Sequence, residues 1–506
     1  MALGTKRTRW DFLRAAAGGG ALLALGALLA RCEPDPRIRA TASPARPKGR
    51  AWSFRSRPDL RPPPVEVTRP SRRPAEGYLF AAAKNGPGEA YPAQDGPVIL
   101  DGEGRLVWFR PVREEAQDAM DFKVQSYRGK PVLTWWQGKH EGWGDGEYLI
   151  FDSSYRELAR FRPGNGLNGD HHEFLITERD SALFTVYRAL PMDLSSFGGP
   201  PEATVMDGVV QELDIETGEV LFEWHSLDHV GLGESTSGPG SDQNEPYDYF
   251  HLNSIAEDVD GGLLIGARKT STVYKVDRKT GQILWRLGGK RSDFEMDSKA
   301  RFAFQHDARR HPDGTVTLFD NRGETMDEPS RGIRLSLNEQ SMTATLLREY
   351  VIPERPFATF QGNVQDLPDG NVFVGWGSAP YVSEHDRVGK LHFEARFPGE
   401  VESYRVFRFP WSGQPNDRPV VAVEPGPENR ATLYASWNGA TEVDAWEVMA
   451  GPKPDGLEPL GSAPRKGFET AIALTTDEPY AAVRAKDRSG RTLGASEAIE
   501  LRGRGR

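Results

Sequence analysis

Beyond residue 76 the chain is written in short apolar runs of Val, Ile, Leu, Phe and Tyr, punctuated by Asp-Gly, Pro-Asp-Gly and Thr-Gly. Runs of that length between turn dipeptides predict strands, and long helical periods are absent after residue 30. Tyr78-Leu79-Phe80-Ala81-Ala82-Ala83 and Pro97-Val98-Ile99-Leu100-Asp101 lead through Gly104 to Leu106-Val107-Trp108. Gln211-Glu212-Leu213-Asp214 leads through Thr217-Gly218 to Val220-Leu221-Phe222-Glu223-Trp224, and 63 residues later Tyr274-Lys275-Val276-Asp277 leads through Thr280-Gly281 to Ile283-Leu284-Trp285. These read as hairpins with Gly at the position that needs a positive φ.

A second pattern interleaves with the first. Phe250-His251-Leu252-Asn253-Ser254 precedes Asp260-Gly261-Gly262-Leu263-Leu264-Ile265-Gly266-Ala267-Arg268. Weaker copies start at His172, at Gln305-His306-Asp307 and at Gln361-Gly362-Asn363. His251 and Asp258, His306 and Asp313, and Gly362 and Asp369 are each seven residues apart, and His172 and Asp180 are eight apart. His251 to His306 is 55 residues and His306 to Gly362 is 56, whereas His172 to His251 is 79 because of a Gly/Ser-rich insertion at 231–241. A four-strand unit at this period predicts a β-propeller. The 334 residues from Gly77 to Pro410 give six blades at about 56 residues each, with five or seven left open by the spacing.

The rhythm changes after Pro415, where alternating runs around Trp437, Trp446 and Tyr480 predict a small β-sandwich of the fibronectin or immunoglobulin kind. Lys6, Arg7 and Arg9 precede an apolar run from Ala15 to Ala30, the layout of an export signal or signal anchor. Arg9-Trp10-Asp11-Phe12-Leu13 resembles a twin-arginine motif with Trp10 in place of the second Arg, and Leu29-Ala30-Arg31-Cys32 resembles a lipoprotein cleavage box with Arg31 out of pattern. The Pro- and Arg-rich stretch that follows reads as an extended tether. The expected organisation of this all-β chain is a signal or anchor at 1–32, a linker at 33–76, a six-bladed β-propeller at 77–414 and a sandwich at 415–502, with Arg502–Arg506 frayed.

Composition narrows the function. A net charge of −10 and a pI near 5.6 argue against nucleic acid as a partner. One Cys excludes a disulfide framework or a Cys-built metal site within the chain. No Gly-x-Ser-x-Gly elbow is present, and the repeat heads offer no carboxylate pair for glycoside hydrolysis.

In a propeller the innermost strands border the channel, so residues heading the repeated strands converge although far apart in sequence. Those heads are His172, His251 with Asn253, and His306, with Arg268 ending the strand after His251 and Gly362 leaving room for a substrate. His171 competes with His172, whose spacing to Asp180 fits the repeat better. His225, His229 and His311 read as surface residues. Neutral imidazole is a nucleophile and a base near neutral pH, while Arg and Asn donate to a tetrahedral oxyanion. The same histidines could hold a transition metal.

Val132-Leu133-Thr134-Trp135-Trp136-Gln137-Gly138, His171-His172-Glu173-Phe174, Tyr249-Phe250-His251-Leu252-Asn253-Ser254, Phe304-Gln305-His306-Asp307-Ala308-Arg309 and Leu318-Phe319-Asp320-Asn321 resemble the arylsulfotransferase family. The resemblance is greater to its actinobacterial and fungal branch, in which a tail like Gly467-Phe468-Glu469-Thr470 is common. It spans about residues 77 to 410. It implies a six-bladed propeller that moves a sulfuryl group from a phenolic sulfate ester to a phenol through a sulfated histidine, without a phosphoadenosine donor or any other cofactor. Carried over by motif, His306 is the nucleophile, His251 and Asn253 form the His-x-Asn pair, Arg268 clamps sulfate and His172 is the remaining channel histidine. The partners expected are a small aryl sulfate and a phenolic acceptor, with a membrane tether through the N-terminus and an extracytoplasmic location. The rival readings are a metal-dependent propeller hydrolase or lactonase, and a non-catalytic propeller binding a cell-surface ligand.

Overall fold

A computed structural model describes residues 37–41, 50–71, 76–86, 90–112, 117–140, 142–242, 244–323 and 328–501. The export signal or anchor, Cys32 and the tail from Arg502 to Arg506 lie outside the described residues. Among those described, the protein is all-β, its sheets antiparallel except where the short strand Glu295–Met296 runs parallel to Thr343–Tyr350, with no α-helix longer than the four residues Ser226–His229.

Antiparallel meanders follow one another along the chain. Strands Asp118–Tyr127, Lys130–His140, Gly144–Phe151 and Glu157–Phe161 form one, and Asn168–Ile176 to Val220–His225 form the next; a single pairing, Gly146 with Gly169, joins them into an eight-stranded sheet. Leu252–Glu257 to Ile283–Gly288, His306–Arg310 to Thr343–Tyr350, and Asn363–Asp366 to Leu391–Arg396 repeat the motif. The Asp-Gly hairpins fall where the sequence places them: Gly261, Gly314 and Gly370 all have φ between 82° and 87°.

The remaining sheet joins the two ends of this region. Tyr78–Asn85 pairs with Gly96–Leu100 on one side and with Val406–Phe409 on the other, with Phe80 opposite Phe407. The first strands of the meanders contact one another in turn from Asp118–Tyr127 to Asn363–Asp366, and Val406–Phe409 contacts both the Asp118–Tyr127 strand and the last meander. Each apolar cluster is shared by two successive sheets: Leu264 and Val273 pack with Leu318 and Ile333, and Phe319 packs with Val374 and Trp376. The cores therefore lie between sheets, and the first strands of successive sheets lie side by side.

Beyond Val420 two sheets enclose a core containing Trp437, Trp446, Leu433, Val448 and Val483.

The linker expectation is corrected. Ile38–Thr41 forms the edge strand of the C-terminal sheet, pairing with Glu469–Thr475, and Glu66–Arg69 pairs with Leu391–Arg396. Phe54, Leu60 and Val65 are buried between them, and Pro62, Pro63 and Pro64 are buried too. A polyproline stretch is already stiff, so fixing it against a hydrophobic surface costs little backbone entropy. The Ser56 amide donates to Glu469 at 2.6 Å, tying this segment to the C-terminal sheet.

Candidate active site

The strand heads do converge. His172 and His251 lie ring to ring, centroids 5.0 Å apart and 82° between planes, although 79 residues separate them. His171 lies 3.9 Å from His172 and 4.5 Å from His140, so four imidazoles run in a chain. Tyr404 sits at the centre, its ring 5.5 Å from His171, 5.6 Å from His172 and 6.3 Å from His306. Both His171 and His172 belong to the cluster: His172 faces His251, and His171 faces His140 and Trp136.

Two of the imidazoles share one mounting. Asp170 Oδ1 accepts His172 Nδ1–H at 2.6 Å and the His172 amide N–H at 3.0 Å. Asp248 does the same for His251, accepting its amide at 2.9 Å through Oδ1 and its Nδ1–H through Oδ2. In each case the carboxylate stands two or three residues upstream, and His251 takes a left-handed φ of 54° to reach it. An Nδ1–H held by a carboxylate leaves the lone pair on Nε2, the state of a base or nucleophile.

His306 is mounted differently. Its Nδ1 bonds Asn321 Oδ1 at 2.8 Å, and its Nε2 accepts the Gln361 amide N–H at 3.2 Å. Arg268 lies over the Phe304 ring at 4.5 Å and donates through Nη2 to the Thr359 carbonyl at 3.2 Å. Burial and the Arg268 charge hold the His306 imidazole well below its ordinary pKa. Burial lowers His251 too, with Asp248 opposing, and burial lowers His140 to about 4. For Asp170, burial alone would raise the carboxyl, but the facing His172 and His171 keep it well below the usual range. Burial thus favours the neutral imidazole at His140, His251 and His306, with the Arg268 charge acting on His306.

Asn253 departs from expectation. Its Nδ2 donates to the Gln305 carbonyl at 2.7 Å, just ahead of the next first strand, and the residue is fully buried. Asn363 bridges to Val406 with both amide atoms, at 2.9 Å and 3.0 Å, whereas Asn253 uses Nδ2 alone. Asn253 is therefore a strut between sheets rather than a donor into the cluster. Gly362 departs as well: a Cβ there would meet the Phe319 ring at 2.5 Å, so packing requires the glycine. The other histidines are absorbed locally, His225 by Asp207 and Glu223, His311 by Asp366 and Thr317, and His229 by stacking on Trp224.

Beside the imidazoles lies a group of buried charges that the sequence did not reveal. Arg405, fully buried, donates through Nη1 to Asp121 and Glu173 at 3.0 Å each and places Nε 3.3 Å from Asp307. Lys123 contacts Asp121 at 2.5 Å and Glu173 at 2.9 Å; Arg309 pairs with Glu173 and, at 2.7 Å, with Asp307. Three cations meet three carboxylates, so the network is neutral and each carboxylate is engaged. Burial would raise Glu173, yet Arg309, Arg405 and Lys123 together depress it. Through Ile255 O, an acceptor for Arg309 at 2.6 Å, and Asn253 O, an acceptor for Arg405 Nη2 at 3.3 Å, the network also holds the strand after His251.

Asp170, His171 and His172 have donor atoms close enough together to suggest a metal group. Asp170 is already committed: Oδ1 also accepts Thr185 Oγ1–H at 2.9 Å, and Oδ2 accepts the Gly144 amide at 2.7 Å. Oδ1 thus takes three donors and Oδ2 one, which fits an orienting carboxylate.

The chain is thus an all-β protein whose repeated sheets bring histidines, an arginine and orienting polar partners into one buried cluster. Residues 123–398 match the family model described as Arylsulfotransferase (ASST), and the chain belongs to that family. Family membership supports an aryl sulfotransferase enzyme acting on small aryl sulfates and phenols. No curated protein matches significantly. Among solved structures, the chain is similar to a Bacteroides caccae protein of unknown function at 13% identity, with 66% of this chain and 99% of that one covered and a TM-score of 0.40. It is also similar to a catalytically inactive virginiamycin B lyase from Staphylococcus aureus at 10% identity (72% and 97% covered, TM-score 0.31) and to a Lactobacillus plantarum protein at 12% identity (78% and 99%, TM-score 0.33). Likenesses this distant carry no argument about this chain.

Proposed function

We propose that the chain is an exported arylsulfate sulfotransferase, built as a six-bladed β-propeller followed by an immunoglobulin- or fibronectin-like sandwich. It moves a sulfuryl group from a phenolic sulfate ester to a phenolic acceptor through a sulfated His306. The blade count is supported by the run of meanders together with the sheet in which Tyr78–Asn85 pairs with Val406–Phe409. Export, with or without a retained anchor, rests on the charged and apolar N-terminus.

The observation that carries the reading is the neutral, buried His306 ring within reach of the Arg268 charge. In the first half-reaction the Nε2 lone pair leaves its bond to the Gln361 amide and attacks sulfur. The S–O(aryl) bond breaks and its electron pair departs with the phenolate. Arg268 offsets the charge on the sulfuryl oxygens, and the Gln361 N–H lies within reach of them once the N–S bond has formed. In the second half the acceptor phenol gives its proton to Nε2 of His251, steadied by Asp248, while its oxygen attacks sulfur and the N–S pair returns to His306. The engaged state of Asp170 weighs against the metal-dependent rival.

Incubation with 4-nitrophenyl sulfate in chelator, acceptor omitted, should leave one sulfuryl group per protein on His306, discharged by phenol and missing in His306→Ala. A folded protein that forms neither adduct nor nitrophenolate would overturn the proposal for such donors. Turnover that appears only on adding a divalent metal would favour the hydrolase, and no turnover with tight ligand binding would favour the binding module.

A further inference from the structure

We infer that Asn321 is a positioning residue that fixes which nitrogen of His306 is nucleophilic and keeps its sulfuryl adduct reactive; the inference rests on the sulfotransferase reading above. Nothing in the motif resemblance gives Asn321 a role. It is the first residue after the strand Val316–Asp320, as Arg268 is the first after Leu263–Ala267, so both occupy the same place in their sheets.

The amide of Asn321 can face only one way. Its Nδ2 donates to the Ala358 carbonyl at 2.6 Å and the Gln361 carbonyl at 3.0 Å, and carbonyl oxygens accept only. The atom left for His306 is therefore Oδ1, another pure acceptor, at 2.8 Å. His306 must carry its hydrogen on Nδ1, which puts the lone pair of the neutral ring on Nε2. The opposite side of the ring agrees independently, because a donor, the Gln361 N–H, points at Nε2.

His172 and His251 have carboxylates at the same ring nitrogen; His306 has a neutral amide. The difference has a chemical consequence. When Nε2 bonds to sulfur and retains Nδ1–H, the ring becomes an N-sulfoimidazolium cation. A carboxylate at Nδ1 would stabilise that cation and make it a poorer sulfuryl donor. The amide orients without adding charge, so the N–S bond stays ready to break toward a phenol. Acid–base shuttling favours the anionic mounting, and a transferable adduct favours the neutral one.

The test measures the two half-reactions separately by rapid quench on the full-length protein, with 4-nitrophenyl sulfate as donor and a phenol chase. Asn321→Asp should discharge its adduct to phenol about tenfold more slowly than the native protein, and the adduct should accumulate at steady state. Asn321→Ser, which loses the one-way acceptor, should form the adduct about tenfold more slowly with KM for the donor nearly unchanged. Discharge from Asn321→Asp at the native rate, or adduct formation in Asn321→Ser at the native rate, would overturn the role given to Asn321. If Asn321→Asp does not fold, Asn321→Ser decides alone. An adduct that maps to His172 or His251 in the native protein would instead overturn the nucleophile assignment, so the two failures are distinguishable.

Discussion

Asp248 grips His251 twice, taking the ring Nδ1–H on one oxygen and the backbone N–H on the other at 2.9 Å. Ring and backbone are fixed by the same carboxylate, so the imidazole cannot turn without breaking both bonds. Asp248→Asn should lower kcat/KM by about 100-fold, within the range of lost general acid–base assistance. Burial already depresses the His251 pKa and Asp248 opposes that depression, so removing the charge moves the acid limb of the pH–rate profile to lower pH. A profile of kcat/KM against pH for 4-nitrophenyl sulfate and phenol checks both the loss and its direction.

Asn253 separates a structural reading from a catalytic one. If it is a strut to the Gln305 carbonyl, Asn253→Ala leaves that buried acceptor unmade and costs about 1–3 kcal/mol of stability. The turnover of the folded fraction then stays within about threefold of native. Urea unfolding combined with adduct-calibrated kcat decides. A 100-fold fall in kcat at unchanged stability would return Asn253 to the chemistry.

Arg405→Leu leaves Asp121, Glu173 and Asp307 short of a cation in a fully buried setting. Breaking one side of such a network costs about 3–5 kcal/mol. The urea midpoint should drop sharply, and the loss should be smaller in Arg405→Leu combined with Glu173→Gln, since the second change removes a stranded charge. Equal losses in the single and the double variant would show that the charges are not coupled.

His225 gives a pH dependence with a definite sign. Hydrogen bonding to Asp207 raises its pKa from 6.5 to about 9, against the opposing effect of burial. A raised folded-state pKa means stabilisation that is full below about pH 6.5 and is lost as pH climbs through about 9. His225→Gln should be less stable than the native chain at pH 6 and nearly equal to it at pH 10. Chemical denaturation at the two pH values tests this, and a difference that grew with pH would contradict it.

Much of the strand order and the convergence of His172, His251 and His306 was legible because both are local matters. A strand needs a period of two and a turn dipeptide, and a repeat carries equal residues to equal places. The carboxylates Asp170 and Asp248 were missed because the spacing argument looked downstream, to the Asp-Gly turns, although Asp-x-His and Asp-x-x-His were written just upstream. Asn253 misled because one residue type serves both an oxyanion and a neighbouring carbonyl, and only three-dimensional placement tells which. The charge network escaped notice for a plainer reason: Arg405 and Asp121 are 284 residues apart. The stretch 50–71 was misjudged because its composition describes a free chain, whereas its prolines and Phe54 find an apolar surface made by residues far along the sequence.

The early strand Ile38–Thr41 takes its partners from residues 471–474, and Tyr78–Asn85 takes one of its from Val406–Phe409. A chain made from its N-terminus holds Ile38–Thr41 unpaired until residues 471–474 have appeared, and leaves one edge of Tyr78–Asn85, already paired with Gly96–Leu100 on the other, open until Val406–Phe409. Such long-range closure is slow, since the loop must be spanned before any contact rewards it. Synthesis alone cannot complete this fold step by step; the beginning of the polypeptide has to wait for its end, and during that interval it needs shelter from other unpaired edges.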